Sequence, residues 1–271
     1  MKRSQVIGLL RGLAITVIAV IFLGPILWML LASFKLNVDI YDATKTFVFS
    51  PTLINYITVF GKANYLLYIK NSFIVAAVST GLSLLLGVPA AYAMARFAMR
   101  RSANLVLLAR VIPGISLLIP WYYVFANLHL IGGYSVLIVA HMFVGLPLIV
   151  YIMMSFFEQL PEELEESGQV DGLTPIGAFW HITLPLAAPG IATSTILAFI
   201  FSWNNFMFAL ALSQSKTQTL PVAIYGFISY SSIDWGGLMA ASAIVTTPIM
   251  VIALFTQKYI VRGFTAGATK G

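Results

Sequence analysis

Five carboxylates fall within ten positions of this chain, Glu162, Glu163, Glu165, Glu166 and Asp171, between long stretches that are almost wholly apolar. None of them pairs with another acid inside an apolar stretch, so they are not arranged as a membrane proton relay. Crowded into one short segment, they form a negative surface suited to docking in a groove on a soluble partner. Three further places carry polar chemistry into apolar segments. Arg110 offers a cation where cations are costly. It either lines a translocation path and meets a hydroxyl-rich or anionic solute, or it snorkels and satisfies carbonyls freed by Pro113. Trp203, Asn204 and Asn205 set an indole beside two amides. That combination suits a sugar, with donors and acceptors for hydroxyls and a flat face for the ring; its alternative is hydrogen bonding between helices. His141 stands alone, reads as a packed polar residue, and makes no metal site.

The acids need a scaffold, and the segment 160–190 supplies one. Pro161 suits a first helical position, and the glutamates after it favour the positive end of a helix dipole. Gly172 can take the left-handed conformation that closes this helix. Thr174 offers an N-cap hydroxyl and Pro175 a second helix start. Ile176, Phe179 and Ile182 then form an apolar ridge, and Pro185 is expected to force the chain out of the helix. The expectation is a helix–Gly–helix elbow with an acidic part and an apolar knob.

Around the elbow, composition dictates a membrane. Of the 271 residues 60% are hydrophobic and only 9% charged, too little polar surface to coat a soluble globule. A span needs about 20 mostly apolar residues. Six stretches qualify: Gly12–Phe34, Ser72–Phe97, Ala103–Leu128, Tyr134–Phe157, Leu186–Leu212 and Leu238–Ile260. The fold class expected is all-α and polytopic, a single transmembrane domain over 1–271. The first apolar run is too long for a signal peptide and reads as a retained span. Lys2, Arg3, Arg11, Arg96, Arg100, Arg101, Lys258, Arg262 and Lys270 all fall on one side if the spans alternate. The positive-inside rule makes that side cytoplasmic and places both termini there. The elbow, between spans four and five, falls on the same side. Lys35, Lys45, Lys62, Lys70 and Lys216 lie outside, four of them in a long first outer loop. That loop could pack over the bundle or touch an outer partner. The fifth loop, 213–237, is polar and then amphipathic. Trp121, Tyr122 and Tyr123 read as interface-belt aromatics.

Absences narrow the function. The net charge of +6 comes from cations flanking apolar spans, with no basic stripe for nucleic acid. There is no cysteine, hence no disulfide or thiolate metal site. The one Gly-Lys pair, Gly61-Lys62, has Tyr56 where a phosphate-binding loop needs its first glycine and Ala63 after the lysine. No H-E-x-x-H or G-x-S-x-G occurs. The chain is therefore expected to be non-catalytic and to bind no cofactor itself.

The acidic segment resembles the EAA loop of ABC-transporter permeases. Glu166-Ser167-Gly168 stand for E-A-A and Asp171-Gly172-Leu173 for D-G-A; Phe179, Ile182, Leu184-Pro185 and Pro189 complete the pattern. Ser167 and Gly168 replace two alanines and remain small, while Leu173 replaces a third. Pro113 to Pro120, Phe201 to Leu210 and Arg262 to Gly271 resemble the carbohydrate-uptake branch, specifically the shorter permease of the maltose-transporter type. The resemblance covers nearly the whole chain. It implies a coupling loop at about 158–185, in which Glu165, Glu166, Ser167, Gly168, Asp171, Gly172, Phe179, Ile182, Leu184 and Pro185 dock an ATPase. It also implies a homologous second permease, two ATPase subunits that bind ATP and Mg, a solute-binding protein outside, and a surrounding bacterial or archaeal inner membrane. The fifth loop would reach toward the binding protein, and the tail at about 261–271 would insert near the ATPases. Arg110, Trp203, Asn204 and Asn205 are the candidate substrate path, with sugar or a derivative (anionic sugar, sugar phosphate or sulfonate, polyol) as solute. An ion-driven secondary transporter would need intramembrane carboxylates or broken spans in corresponding halves, and the sequence offers neither. A scaffold whose elbow binds some other protein is the remaining rival.

Overall fold

A computed structural model describes residues 3–62, 64–229 and 232–266; Lys2, Lys270 and the rest of the tail after Ala266 lie outside them. Among the described residues every regular element is helical: 3₁₀ turns at Ala43–Lys45 and Tyr225–Phe227, a π-turn at Phe179–Thr183, and the α-helices. In chain order these are α1 (Arg3–Ser33), α2 (Asn37–Ile40), α3 (Ile54–Lys62), α4 (Tyr65–Arg96), α5 (Arg100–Leu108), α6 (Gly114–Asn127) and α7 (Tyr134–Phe157). There follow α8 (Glu163–Val170), α9 (Pro175–Ala178), α10 (Leu184–Leu186), α11 (Ala188–Trp203), α12 (Met207–Leu212), α13 (Leu220–Ile224) and α14 (Trp235–Ala266). The chain divides into two compact units, residues 1–66 with 223–248, and residues 67–222 with 249–271.

In the first unit no residue in the apolar window of α1 is buried, so lipid or another chain must cover it. After α1 the long loop that follows closes on Lys35, which is 1% exposed. Its ammonium donates to the carbonyls of Lys45 (2.9 Å) and Thr46 (2.7 Å) and sits over the rings of Trp28 and Phe49. Asn55 donates to the carbonyls of Ser33 and Lys35, and Asn37 bridges Asp234 to the amide of Gly236. Asp234 caps α14 through the Gly237 amide. The long first loop is thus packed onto the start of α14. Lys35→Met keeps the buried stem and removes the charge, leaving two carbonyls without their donor. Hydrogen bonds from charged groups contribute about 1.5–3 kcal/mol each, so losing both is expected to cost about 3–6 kcal/mol. Faster proteolysis within residues 36–53 would report it.

The second unit is built on α4, α7 and α11. Val88, Ala91, Ile149, Val150, Met153, Phe157 and Ala198 form one apolar cluster; Val75, Val136, Leu137, Ala140, Phe208 and Leu212 form another. Approach is close where glycine permits it. A Cβ on Gly190 would lie 2.6 Å from Cγ of Phe156, whose ring has no flexible end to yield. Gly190→Ala is therefore expected to cost about 1–3 kcal/mol, the usual penalty for overpacking. Thermal unfolding in detergent checks this.

Among the described residues four helices are long and apolar enough to cross a membrane: Ile7–Ser33, Tyr65–Arg96, Tyr134–Phe157 and Trp235–Phe255. The other two expected spans are not single helices. Ala103–Leu128 is split between α5 and α6 by a turn at Ala109–Pro113. Proline has no N–H to continue the ladder, and Ile112 before it is disfavoured in the α region. Leu186–Leu212 is split between α11 and α12, because Asn205 turns its carbonyl oxygen to the amide of Phe208 (3.1 Å) and starts a new helix. Residues Pro175–Leu186 also meet α11 at a 71° bend.

Candidate functional site

The acidic segment has the local structure its residues dictate. Glu163, Glu165 and Glu166 occupy the first turn of α8 as expected, but Pro161 does not take the first helical position: Glu162 is the N-cap and the proline precedes it. Gly172 has φ +97°, and the amides of Gly172 and Leu173 donate to the carbonyls of Gln169 and Gly168, both at 3.0 Å. This is a Schellman closure. Thr174 caps α9 by accepting from the Gly177 amide at 3.1 Å, and Pro175 opens the helix. Pro185 departs from expectation. The chain does not leave the helix there; a π-turn over Phe179–Thr183 shifts the ladder and admits the proline, and the bend follows at Ala187.

The ridge also departs from expectation. Ile176 is 72% exposed, but Phe179 is 7% exposed and Ile182 half-buried. Phe179 faces inward because the π-turn rotates it onto Tyr92, with ring centroids 4.6 Å apart. Glu165 faces inward as well, at 8% exposure. One of its oxygens accepts from the Tyr92 hydroxyl at 2.6 Å, and the other from Nε of Arg96 at 2.9 Å. Nη1 of Arg96 donates to the carbonyls of Phe157 and Leu160, both at 3.1 Å. Burial alone would raise the Glu165 carboxyl, but the Tyr92 and Arg96 hydrogen bonds and the Arg96 charge outweigh it and hold the group below the ordinary carboxylate range. Gly168 packs so closely on Ile182 that a Cβ would collide with its terminal methyl.

The acidic segment is therefore two-sided. Glu165, Gly168 and Phe179 face the bundle, with Ile182 and Leu184 half-buried. Glu162, Glu163, Glu166, Ser167, Asp171, Gly172 and Pro185 are exposed, together with the apolar Leu164, Val170, Ile176 and Trp180. Sequence reasoning missed Tyr92 and Arg96 as members of this site. Arg96 had counted only toward orientation, and its place at the end of a span beside an acidic loop was the available signal.

The other candidates lie at helix breaks. Arg110 sits in the turn between α5 and α6, exposed, with its guanidinium over the Tyr151 ring. Among the described residues no carboxylate pairs with it. It lines a cavity of about 280 Å³ with Pro113, Gly114, Phe143, Leu148 and Phe201. Trp203 is buried against Phe199, whereas Asn204 caps α11 and is exposed. Asn205 is half-buried, and its side-chain oxygen accepts from the Phe208 amide. His141 is buried, and its Nδ1 meets the Ser202 hydroxyl at 2.7 Å; Ser202 in turn meets Ser79 at 3.0 Å. Among the described residues no group of three or more His, Asp or Glu side chains is placed to hold a metal.

Comparison with known proteins gives this arrangement its context. Residues 83–266 match the model of the family described as the binding-protein-dependent transport system inner membrane component. A sulfoquinovosyl glycerol transport system permease of Agrobacterium fabrum is 34% identical over 267 residues, covering 97% of this chain and 94% of that one. A trehalose/maltose transport system permease of Thermococcus litoralis is 36% identical over 266 residues, covering 93% of each. Among solved structures, a bacterial ABC transporter involved in import of the acidic polysaccharide alginate superposes with TM-score 0.81 at 19% identity. That match covers 96% of this chain and 98% of the other. With the matched region taking in α7, the acidic segment and all of α14, the chain belongs to the inner-membrane components of binding-protein-dependent transport systems.

Proposed function

We propose that this chain is one permease subunit of an ATP-driven, binding-protein-dependent sugar importer, of the shorter maltose-transporter type. The carrying observation is the two-sided acidic segment: one face clamped to the ends of α4 and α7, the other exposed, acidic and studded with apolar side chains. Residues 1–271 act as a single transmembrane domain of six spans, two of them broken: α5–α6 is the third and α11–α12 the fifth. Breaks at membrane depth are tolerated where they line a cavity or are buried in protein. The side that is rich in Lys and Arg is cytoplasmic, with both termini there. Residues 158–185 are the coupling loop. Two ATPase subunits, which carry ATP and Mg, grip it through Glu166, Asp171 and Ile176, while Glu165 and Phe179 hold it to the bundle. The subunit itself catalyses nothing. A homologous permease completes the path, a solute-binding protein delivers solute from outside, and the tail at 261–271 approaches the ATPases.

The sugar class is supported by relatives whose names specify trehalose/maltose and sulfoquinovosyl glycerol. Arg110 favours a second reading, an anionic sugar derivative, since its cation is exposed and pairs with no carboxylate among the described residues. Uptake into vesicles holding the assembled transporter tests both. ATP-dependent uptake of a neutral sugar, delivered by its binding protein, supports the first reading, and uptake confined to anionic derivatives the second. Failure to assemble with any ATPase overturns both.

A further inference from the structure

We propose that α4 is a strut that ties the acidic loop at one end of the bundle to the fifth loop at the other. This rests on the importer reading of the two loops. At its inner end Tyr92 and Arg96 hold Glu165 as described, and Arg96 reaches on to the carbonyls of Phe157 and Leu160. At its outer end Asn71 is fully buried. Its amide donates to the carbonyls of Lys216 (3.1 Å) and Gln218 (2.8 Å), and its oxygen accepts from the Tyr134 hydroxyl at 2.6 Å. Beside it the Ser72 hydroxyl accepts from the amide of Leu220 at 2.7 Å. Every polar atom of these side chains is thus spent on one loop or on a helix end next to it.

Between the two clamps α4 is one unbroken helix, continuous through Pro89. At ~1.5 Å per residue, about 37 Å of helix separates Asn71 from Arg96, enough to cross a hydrocarbon core of about 30 Å. The rod is held along its length. Ser79 bonds Ser202, and Gly87 lets α4 approach Ile149 so closely that a Cβ there would lie 3.1 Å from its methyl. At the inner end α7 contributes the Phe157 carbonyl to this clamp, and α11 ends in the break at Asn204. Asn71, Tyr92 and Arg96 are positioning residues in this account. They touch neither solute nor nucleotide, and act by making a movement of one loop a movement of the other.

Coupling between two sites is reciprocal, which supplies the test. The assembled transporter in lipid vesicles is read in two ways: ATPase activity with and without the substrate-loaded binding protein, and affinity for that protein with and without a non-hydrolysable ATP analogue. A wild-type assembly showing neither response overturns the importer reading itself. Given both responses, Asn71→Ala is expected to leave co-purification of the partner chains and basal ATPase unchanged and to reduce the stimulation at least about fivefold, the lower end of typical coupling. Tyr92→Phe, at the opposite end, is expected to weaken the nucleotide dependence of binding-protein affinity. If Asn71→Ala fails to assemble, Ser72→Ala and Tyr134→Phe remove single outer bonds and carry the same expectation in smaller measure. Variants that assemble and alter only the response at their own end, or neither response, overturn the strut.

Discussion

Glu165→Ala is expected to lower the stability of the second unit by about 3–5 kcal/mol, the cost of removing one partner from a buried ion pair. The magnitude follows from what is left behind. The side chains of Arg96 and Glu165 are 9% and 11% exposed, so the variant strands a guanidinium in a site with little water. Arg96 keeps the two carbonyls of Phe157 and Leu160 and the Glu162 carboxylate at 3.8 Å, which offset part of its charge, while the Tyr92 hydroxyl loses its acceptor altogether. Glu165→Gln keeps an acceptor for Tyr92 but loses the charge, and should fall between alanine and wild type. The pH dependence has a definite sign. The folded Glu165 carboxyl titrates below its unfolded value, so its contribution is fully present above the ordinary carboxylate range. It is lost as pH falls through the lower, folded value. Thermal unfolding in detergent and protease cleavage within residues 158–173 measure the loss. A Glu165→Ala protein that unfolds like wild type would show that the clamp does not hold the loop.

How much of this was visible in the sequence depends on the kind of signal. Gly172, Thr174 and Pro175 were legible because backbone chemistry acts locally: a positive φ, a capping hydroxyl and a fixed φ need no knowledge of neighbours. The division of labour between Glu165 and Glu166 was not legible. Successive residues on a helix point about 100° apart. One of any adjacent pair can face in and the other out, and only the tertiary position of α8 decides which. The same holds for Phe179, which an i, i+3, i+6 pattern assigned to the ridge with Ile176. A π-turn adds a residue to the local repeat, and the pattern assumed none. Composition counts hid the breaks at Arg110–Pro113 and Asn204–Phe206, because an apolar window averages over a single turn. The local cues were there in Pro113 and in the two adjacent asparagines.

Glu166→Lys should produce the opposite phenotype from its neighbour. Glu166 is exposed and takes part in no ion pair among the described residues, so surface reversal should cost the fold little. A lysine in the first turn of α8 meets the positive end of the helix dipole, a penalty of about 0.3–1 kcal/mol. Its cost falls on docking instead. If an ATPase presents a cation to this face, reversal replaces an attraction with a repulsion. Losing one hydrogen-bonded interfacial charge costs about 2–5 kcal/mol, roughly 30-fold or more in affinity. The expected protein inserts and unfolds as wild type does, but no longer co-purifies with its ATPases or supports stimulated hydrolysis. Two adjacent glutamates then separate two functions by direction alone: removing the inward one loosens the loop, and reversing the outward one disconnects it from the motor. If Glu166→Lys instead co-purified with its ATPases and supported stimulated hydrolysis as wild type does, the exposed glutamates would not be the ATPase contact. The coupling role would then have to pass to the apolar group of Val170, Ile176 and Trp180.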